Sequence, residues 1–316
     1  MFVLLGFIVL ILHIVAIRSS VTQESPSCVV TLRPWLPRDR TYCSVFKYNC
    51  YHRGSTSPTN QDIKQLDEEA LAVLIFEHCP ALEVPTGIQR FYNLLGLELY
   101  NSTVVDWSLD AAISSDAHPN LAYLIMPFVN MSEIPEGILQ PFPPLLTDLE
   151  LIGSNLTEFP NRIASAWSGL TLLFLEYNAL PEMPDIILQL HMLDTLSLTG
   201  NNLTSFPNFR DNEFNFVFLS LGHNPMVELP QETPASIRFN FLSLEGTGLV
   251  SIPGWVQNPI KTINKIYLRD TPFCVSLPTQ VADASFGASD VTTCMTEDQR
   301  GSGRYPVEFM KKLRQL

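Results

Sequence analysis

The chain has 316 residues, 46% of them hydrophobic and 16% charged, a balance that suits one large core or a long array of small ones. Its 19 Lys and Arg stand against 32 Asp and Glu, and the formal charge of −13 argues against nucleic acid as a partner, which needs a basic face. No phosphate-loop, dinucleotide, Gly-x-Ser-x-Gly or His-Glu-x-x-His pattern occurs, so no catalytic residue and no cofactor is expected.

In chain order, the first element is the apolar run Phe2 to Ile17, interrupted only by His13. Sixteen residues are short for a membrane span and near the upper size of a signal-peptide core, with small-residue cleavage positions at Ala16 or Ser19. Residues 1–19 therefore read as a signal peptide and the protein as secreted. Arg18 follows the run instead of preceding it, which keeps a single uncleaved anchor in the cell membrane as the alternative. Residues 20–70, with Cys28, Cys43 and Cys50, read as an N-terminal cap region.

From residue 71 to 278 a unit recurs about nine times. It reads L-x-L-x-x-N-x-L-x-x-φ-P, with φ a large apolar residue, and it starts at Leu74, Leu97, Leu124, Leu149, Leu173, Leu196, Leu219, Leu242 and Ile266. The starts are 23 to 27 residues apart, the period of a leucine-rich repeat. Prolines 85, 135, 160, 184, 207, 230 and 253 each stand eleven residues after a start. The two leucines of L-x-L share one face of a short strand and point inward. A single unit cannot bury them, but stacked neighbours make one continuous core. The predicted fold is an α/β repeat solenoid: a curved leucine-rich-repeat ribbon with a parallel inner sheet and disulfide-bonded caps.

The Asn position ends each strand, where its amide can bond the backbone of neighbouring coils. It is occupied by Cys79, Ser102, Val129, Ser154, Asn178, Asn201, Asn224, Thr247 and Thr271, so the central repeats should be the most regular. Segments such as Arg162–Gly169 and Asp185–His191 should return on the outer face as helices or extended turns. The second repeat departs most, with Trp107 in place of φ and a following loop enlarged around Leu109–Asn120.

Side chains between and beside the leucines form columns that should face solvent on the inner sheet. Repeats three to five place Tyr123, Ile125, Phe128, Ile152, Phe174 and Tyr177 there, with Glu150 and Glu176 among them. Aromatic residues interleaved with carboxylates suit a protein or peptide partner. Repeats six to eight carry small polar residues such as Ser197, Ser220 and Ser243.

Residues 279–316 read as the C-terminal cap and tail. Cys274 and Cys294 are the only cysteines at that end and should pair. Cys28, Cys43, Cys50 and Cys79 allow three connectivities, of which Cys43–Cys50 with Cys28–Cys79 is the expected one. No Cys-x-x-Cys occurs and His52 and His78 lack ligand spacing, so no metal site is expected. Four Asn-x-Ser/Thr sequons begin at Asn101, Asn130, Asn155 and Asn202, and the last three directly follow the strand-ending position.

On the L-x-L, N-x-L and φ-P positions quoted above, residues 71–278 resemble plant-type extracellular leucine-rich-repeat proteins, secreted or receptor-ectodomain-like. The stretch from Cys274 to Cys294 resembles the capping segment of that family. The family's Cys-x-Trp-Gly pattern is missing at the N-terminal side, and only Ile134-Pro-Glu-Gly-Ile138 comes near its glycine motif after the proline. The resemblance implies a non-catalytic recognition module with an extracellular protein or peptide ligand. The membrane would be touched only through the N-terminal segment. An adhesive or structural glycoprotein of the cell surface is the alternative.

Overall fold

A computed structural model describes residues 2–21, 26–32, 42–131, 133–210, 212–232, 237–257, 263–277, 285–286 and 291–294. Most of the expected C-terminal cap and tail, 279–316, and part of the N-terminal cap region lie outside these residues. The chain divides into two compact units, Met1–Leu146 and Thr147–Leu316.

The first unit opens with helix α1 (Phe2–Val21), which is apolar on every side. Phe2, Leu4, Phe7 and Ile11 are each more than half exposed. Among the described residues no helix is long and apolar enough to cross a membrane. Strand β1 (Cys28–Thr31) runs antiparallel to β2 (Cys43–Asn49), and β2 pairs parallel with β3 (Val73–Glu77). A short outer pair is formed by β4 (Leu82–Glu83) and β6 (Val104–Asp106), and β5 (Gly96–Tyr100) and β7 (Tyr123–Pro127) continue the inner sheet. The registers put Phe46 beside Leu74, Leu74 beside Leu97, and Leu97 beside Leu124. All three leucines are fully buried, and each side chain removed from water stabilises by roughly 1.5–3 kcal/mol.

Residues 43–49 are thus a further coil, in which Phe46-Lys47-Tyr48 replaces L-x-L. This overturns the expected cysteine pairing, for the bonds are Cys28–Cys43 and Cys50–Cys79. Cys43 begins β2 and Cys50 follows its end, so a seven-residue strand holds them roughly 20 Å apart, well past disulfide reach. Cys79 instead ends the neighbouring strand, with its Cα 4.9 Å from that of Cys50.

The second unit is a parallel sheet of β8 (Asp148–Ile152), β9 (Leu172–Glu176), β10 (Thr195–Ser197), β11 (Phe214–Ser220), β12 (Ile237–Ser243) and β13 (Lys265–Tyr267). Its register stacks Leu149, Leu173, Leu196, Leu219, Leu242 and Ile266. The returning segments include a helical turn at Ile163–Ala166 and a 3-10 turn at Asp185–Gln189, as the sequence predicts. β11 and β12 begin five residues before their leucines, where Phe214 and Phe216 stack at 5.2 Å and Phe218 stacks on Phe241 at 5.7 Å. β14 (Ser285–Phe286) folds antiparallel onto β15 (Thr292–Thr293), which pairs parallel with β13. Cys294 bonds Cys274 there, as expected.

The strand-ending ladder is strongest in this unit. Asn201 Nδ2 donates to the carbonyls of Leu175 and Leu198, while its Oδ1 accepts from the amides of Asn178 and Leu180. Asn178 and Asn224 repeat the arrangement. Thr247 and Thr271 keep a single donated bond to Leu244 and Leu268. Both units are stacks of leucine-rich-repeat coils, and the fold class is the leucine-rich-repeat solenoid.

Candidate functional site

The residue before each ladder position has a fixed backbone state. His78, Asn101, Phe128, Gly153, Tyr177, Gly200, His223, Gly246 and Asp270 all have φ between 44° and 70°. This left-handed turn swings the chain out of the strand, and its amide bonds the next coil, as Tyr177 N–H does to the Thr199 carbonyl at 2.9 Å. Only glycine adopts it without cost; other residues lose roughly 1–2 kcal/mol. Phe128 and Tyr177 are therefore held in costly positions that project their rings at the strand end.

In the first unit, Tyr123, Ile125 and Phe128 are half-buried, as are Ile75, Glu98 and Tyr100. The Tyr123 hydroxyl donates to Glu98 Oε1 at 3.2 Å and the Tyr100 hydroxyl to Glu98 Oε2 at 2.8 Å. One carboxylate thus fixes two phenols from adjacent strands. Gly96 makes the arrangement possible, because a methyl group there would fall inside the Tyr123 ring. Beside it, Asn49 Nδ2 donates to Glu77 Oε1 at 2.7 Å, and Lys47 approaches the same oxygen at 3.2 Å. The site residues chosen from the sequence did not include Glu98, Tyr100 or Gly96, although a glycine opposite a tyrosine in register was a readable signal.

The second unit differs. Tyr177 is 37% exposed and Glu150 is half-buried, but Ile152, Phe174 and Glu176 are at most 5% exposed, against the expectation that they face solvent. Ser197, Thr199, Ser220 and Ser243 are wholly buried too. Ser197 donates to Glu176 Oε1 at 2.6 Å, and the hydroxyls of Thr199 and Ser220 lie 2.7 Å apart. Neighbouring strands stand about 4.8 Å apart, so bulky flanking columns close over small residues between them. On one flank Phe218 stacks on Phe241. On the other the Tyr177 ring covers Gly200 and the His223 ring covers Gly246. These residues form a closed polar seam instead of an open surface.

Two further titratable groups, one buried and one half-buried, stand apart from these columns. His118, in the enlarged loop of the second repeat, is fully buried, with Nε2 3.1 Å from the Ile88 carbonyl. Burial lowers its pKa, so the ring is neutral and holds the loop. At the first strand of the second unit, burial pushes the Asp148 carboxyl up to about 6. Among the described residues no group of three or more His, Cys, Asp or Glu is placed to hold a metal ion. The sequon residues Asn101, Asn130, Asn155 and Asn202 are all exposed.

No protein-family profile matches the chain, and no curated protein does. Solved structures that resemble it include a leucine-rich-repeat protein of Leptospira interrogans, 21% identical over 69% of this chain and 71% of that one, at a TM-score of 0.41. Internalin C2 of Listeria monocytogenes is 19% identical over 75% of this chain and 84% of its own, at 0.42. The TLR13 chain of a complex with a single-stranded RNA is 18% identical over 67% of this chain and 33% of its own, at 0.47. All are likenesses of fold.

Proposed function

We propose that the protein is an extracellular, non-catalytic recognition module that binds a protein or peptide through inner-face side chains. Tyr123, Ile125 and Phe128 of the first unit are its principal contacts, with Tyr177 and Glu150 a separate set in the second. The observation that carries this reading is the half-exposed aromatic surface around Glu98, where both phenols are already oriented before any partner arrives. Rigid, pre-oriented tyrosines give contact area at low ordering cost, which is what binding hot spots use. A protein or peptide, not nucleic acid, suits a chain of charge −13.

Three disulfides fit an oxidising compartment. In this reading residues 1–19 are removed on secretion, and the four exposed sequon asparagines carry glycans. Protein collected from culture medium should begin near residue 20 and lose mass on treatment with an N-glycan amidase. Retention in the cell membrane with the first residues intact would replace secretion by anchoring.

The recognition test uses the partner cross-linked to the secreted protein. Tyr123→Ala and Phe128→Ala should each weaken its binding by about 1–3 kcal/mol and leave the folded structure intact. Wild-type affinity in both variants would remove the inner face of the first unit from consideration.

A further inference from the structure

The inner strands β2, β3, β5 and β7 of the first unit carry three charged side chains, Lys47, Glu77 and Glu98. Two of them answer each other. Lys47 Nζ stands 3.2 Å from Glu77 Oε1, which also accepts from Asn49 Nδ2. Glu98 has neutral neighbours instead. The register sets Ile75 of β3 and Ile125 of β7 directly beside it, both half-buried. Its oxygens each accept one phenol, Oε1 from Tyr123 and Oε2 from Tyr100. Among the described residues no ion pair reaches Glu98. A carboxylate offers about four lone-pair sites, so the two phenols leave half of them open.

A partner seated on Tyr123, Ile125 and Phe128 covers Glu98 as well, because Ile125 adjoins it in register and Tyr123 reaches across to it. Covering strips water from the carboxylate, and two neutral hydroxyl bonds do not offset the lost hydration of a full charge. A neutral or acidic surface is therefore penalised at this point, and a cation is favoured. Arginine fits better than lysine. Its guanidinium is planar and weakly hydrated, donates through a fork that matches a carboxylate, and stacks on aromatic faces. Tyr100 and Tyr123 are tied to that same carboxylate, within reach of a cation bound there. A methyl group at Gly96 would fall inside the Tyr123 ring, so the glycine keeps this ring in place.

We infer that the inner-face binding proposed above, on which this rests, is centred on an arginine side chain of the partner protein or peptide. Its guanidinium donates to the Glu98 carboxylate against the Tyr100 and Tyr123 rings, and its alkyl stem runs along Ile125.

The test pans a display library of short random peptides on the full chain. Recovered peptides should carry arginine and bind the Tyr123→Ala and Phe128→Ala variants about tenfold more weakly. On the unaltered protein, citrulline in place of that arginine, neutral and of the same shape, should weaken binding by about tenfold. In Glu98→Gln the arginine and citrulline peptides should bind within about twofold of each other. Glu83→Gln removes the same charge from an exposed position of the outer strand β4 and should leave the preference for arginine intact. Should Glu98→Gln melt below the wild-type temperature, the citrulline comparison on the unaltered protein still decides. Peptides that depend on Tyr123 and Phe128 but lack arginine, or take lysine equally well, overturn the inference and leave the inner-face site standing. An arginine preference that survives Glu98→Gln does the same. Peptides indifferent to Tyr123 and Phe128, or a library that yields no binder, remove the inner-face site and the inference with it.

Discussion

In the first unit the inner-face positions hold Ile75, Glu98, Tyr100, Tyr123 and Phe128, half-exposed around a carboxylate that receives two phenols. In the second the equivalent columns hold Ile152, Phe174, Glu176 and a run of serines and threonines, nearly all lost from solvent. The repeat register is the same in both. The difference lies in the flanking columns: Gly96 leaves room for one tyrosine, whereas Phe218, Phe241, Tyr177 and His223 close over small residues. A position in a solenoid is therefore open or closed according to the size of its neighbours on adjacent strands, not according to its place in the repeat.

The largest effect expected from this contrast is on stability. Phe174→Ala should cost roughly 3–5 kcal/mol, as a buried ring does, while Phe128→Ala should cost far less. Urea unfolding of the two variants measures this, and equal midpoints would mean that the two faces are equally open. Next comes the ladder. Asn201→Ala removes two donated and two accepted bonds in the second unit and should cost on the order of 3 kcal/mol. Ser102→Ala in the first unit removes one bond to the Tyr100 carbonyl and one from the Cys79 amide and should cost about 1–2 kcal/mol.

The units should also answer to pH with opposite signs. His118 has a lowered pKa when folded, so its contribution is present above the ordinary value of 6.5 and is lost as pH falls below it. Asp148 has a raised pKa, so its contribution is present below 3.8 and is lost as pH rises to about 6. Asp148→Asn should thus stabilise the second unit at pH 7 by on the order of 1–3 kcal/mol, and His118→Gln should flatten the acid loss of the first. Hydrogen exchange resolved by segment between pH 5 and pH 7, both values about neutral to mildly acidic, reports the two separately. Same-signed changes would contradict the assignment.

The smallest effect concerns the left-handed backbone. Ala179→Gly, at an exposed residue with φ 59°, should raise stability by about 1 kcal/mol. Asn101→Gly should do little, since Asn tolerates that conformation and its Nδ2 already pairs with His78. Calorimetric melting of both compares them directly.

Much of this architecture was legible because it is periodic. The leucine stacks and the Asn ladder follow from spacing, and the Cys274–Cys294 bond from these being the only cysteines at that end. The β2 coil escaped because Phe46 and Tyr48 stand where leucines should, with no Asn or φ-Pro pair behind them. The N-terminal disulfides were misread for the same reason: without that coil, Cys50 had no neighbour in Cys79. Burial of Phe174 and the Ser197 column could not be read along the chain, since it depends on side chains one and two coils away. Glycines 153, 200 and 246, by contrast, already marked the left-handed column in the sequence.

That column has a consequence for how the array can change length. In the second unit a ring and a glycine alternate: Tyr177 lies over Gly200, and His223 over Gly246. Tyr177 and His223 are 46 residues apart, as are Gly200 and Gly246, twice the interval between neighbouring strands. Deleting or duplicating one coil would set ring against ring or leave glycine beside glycine. Removing or adding two together restores the alternation. The heritable module of this stretch is a pair of coils, and gains or losses in its lineage should come in even numbers.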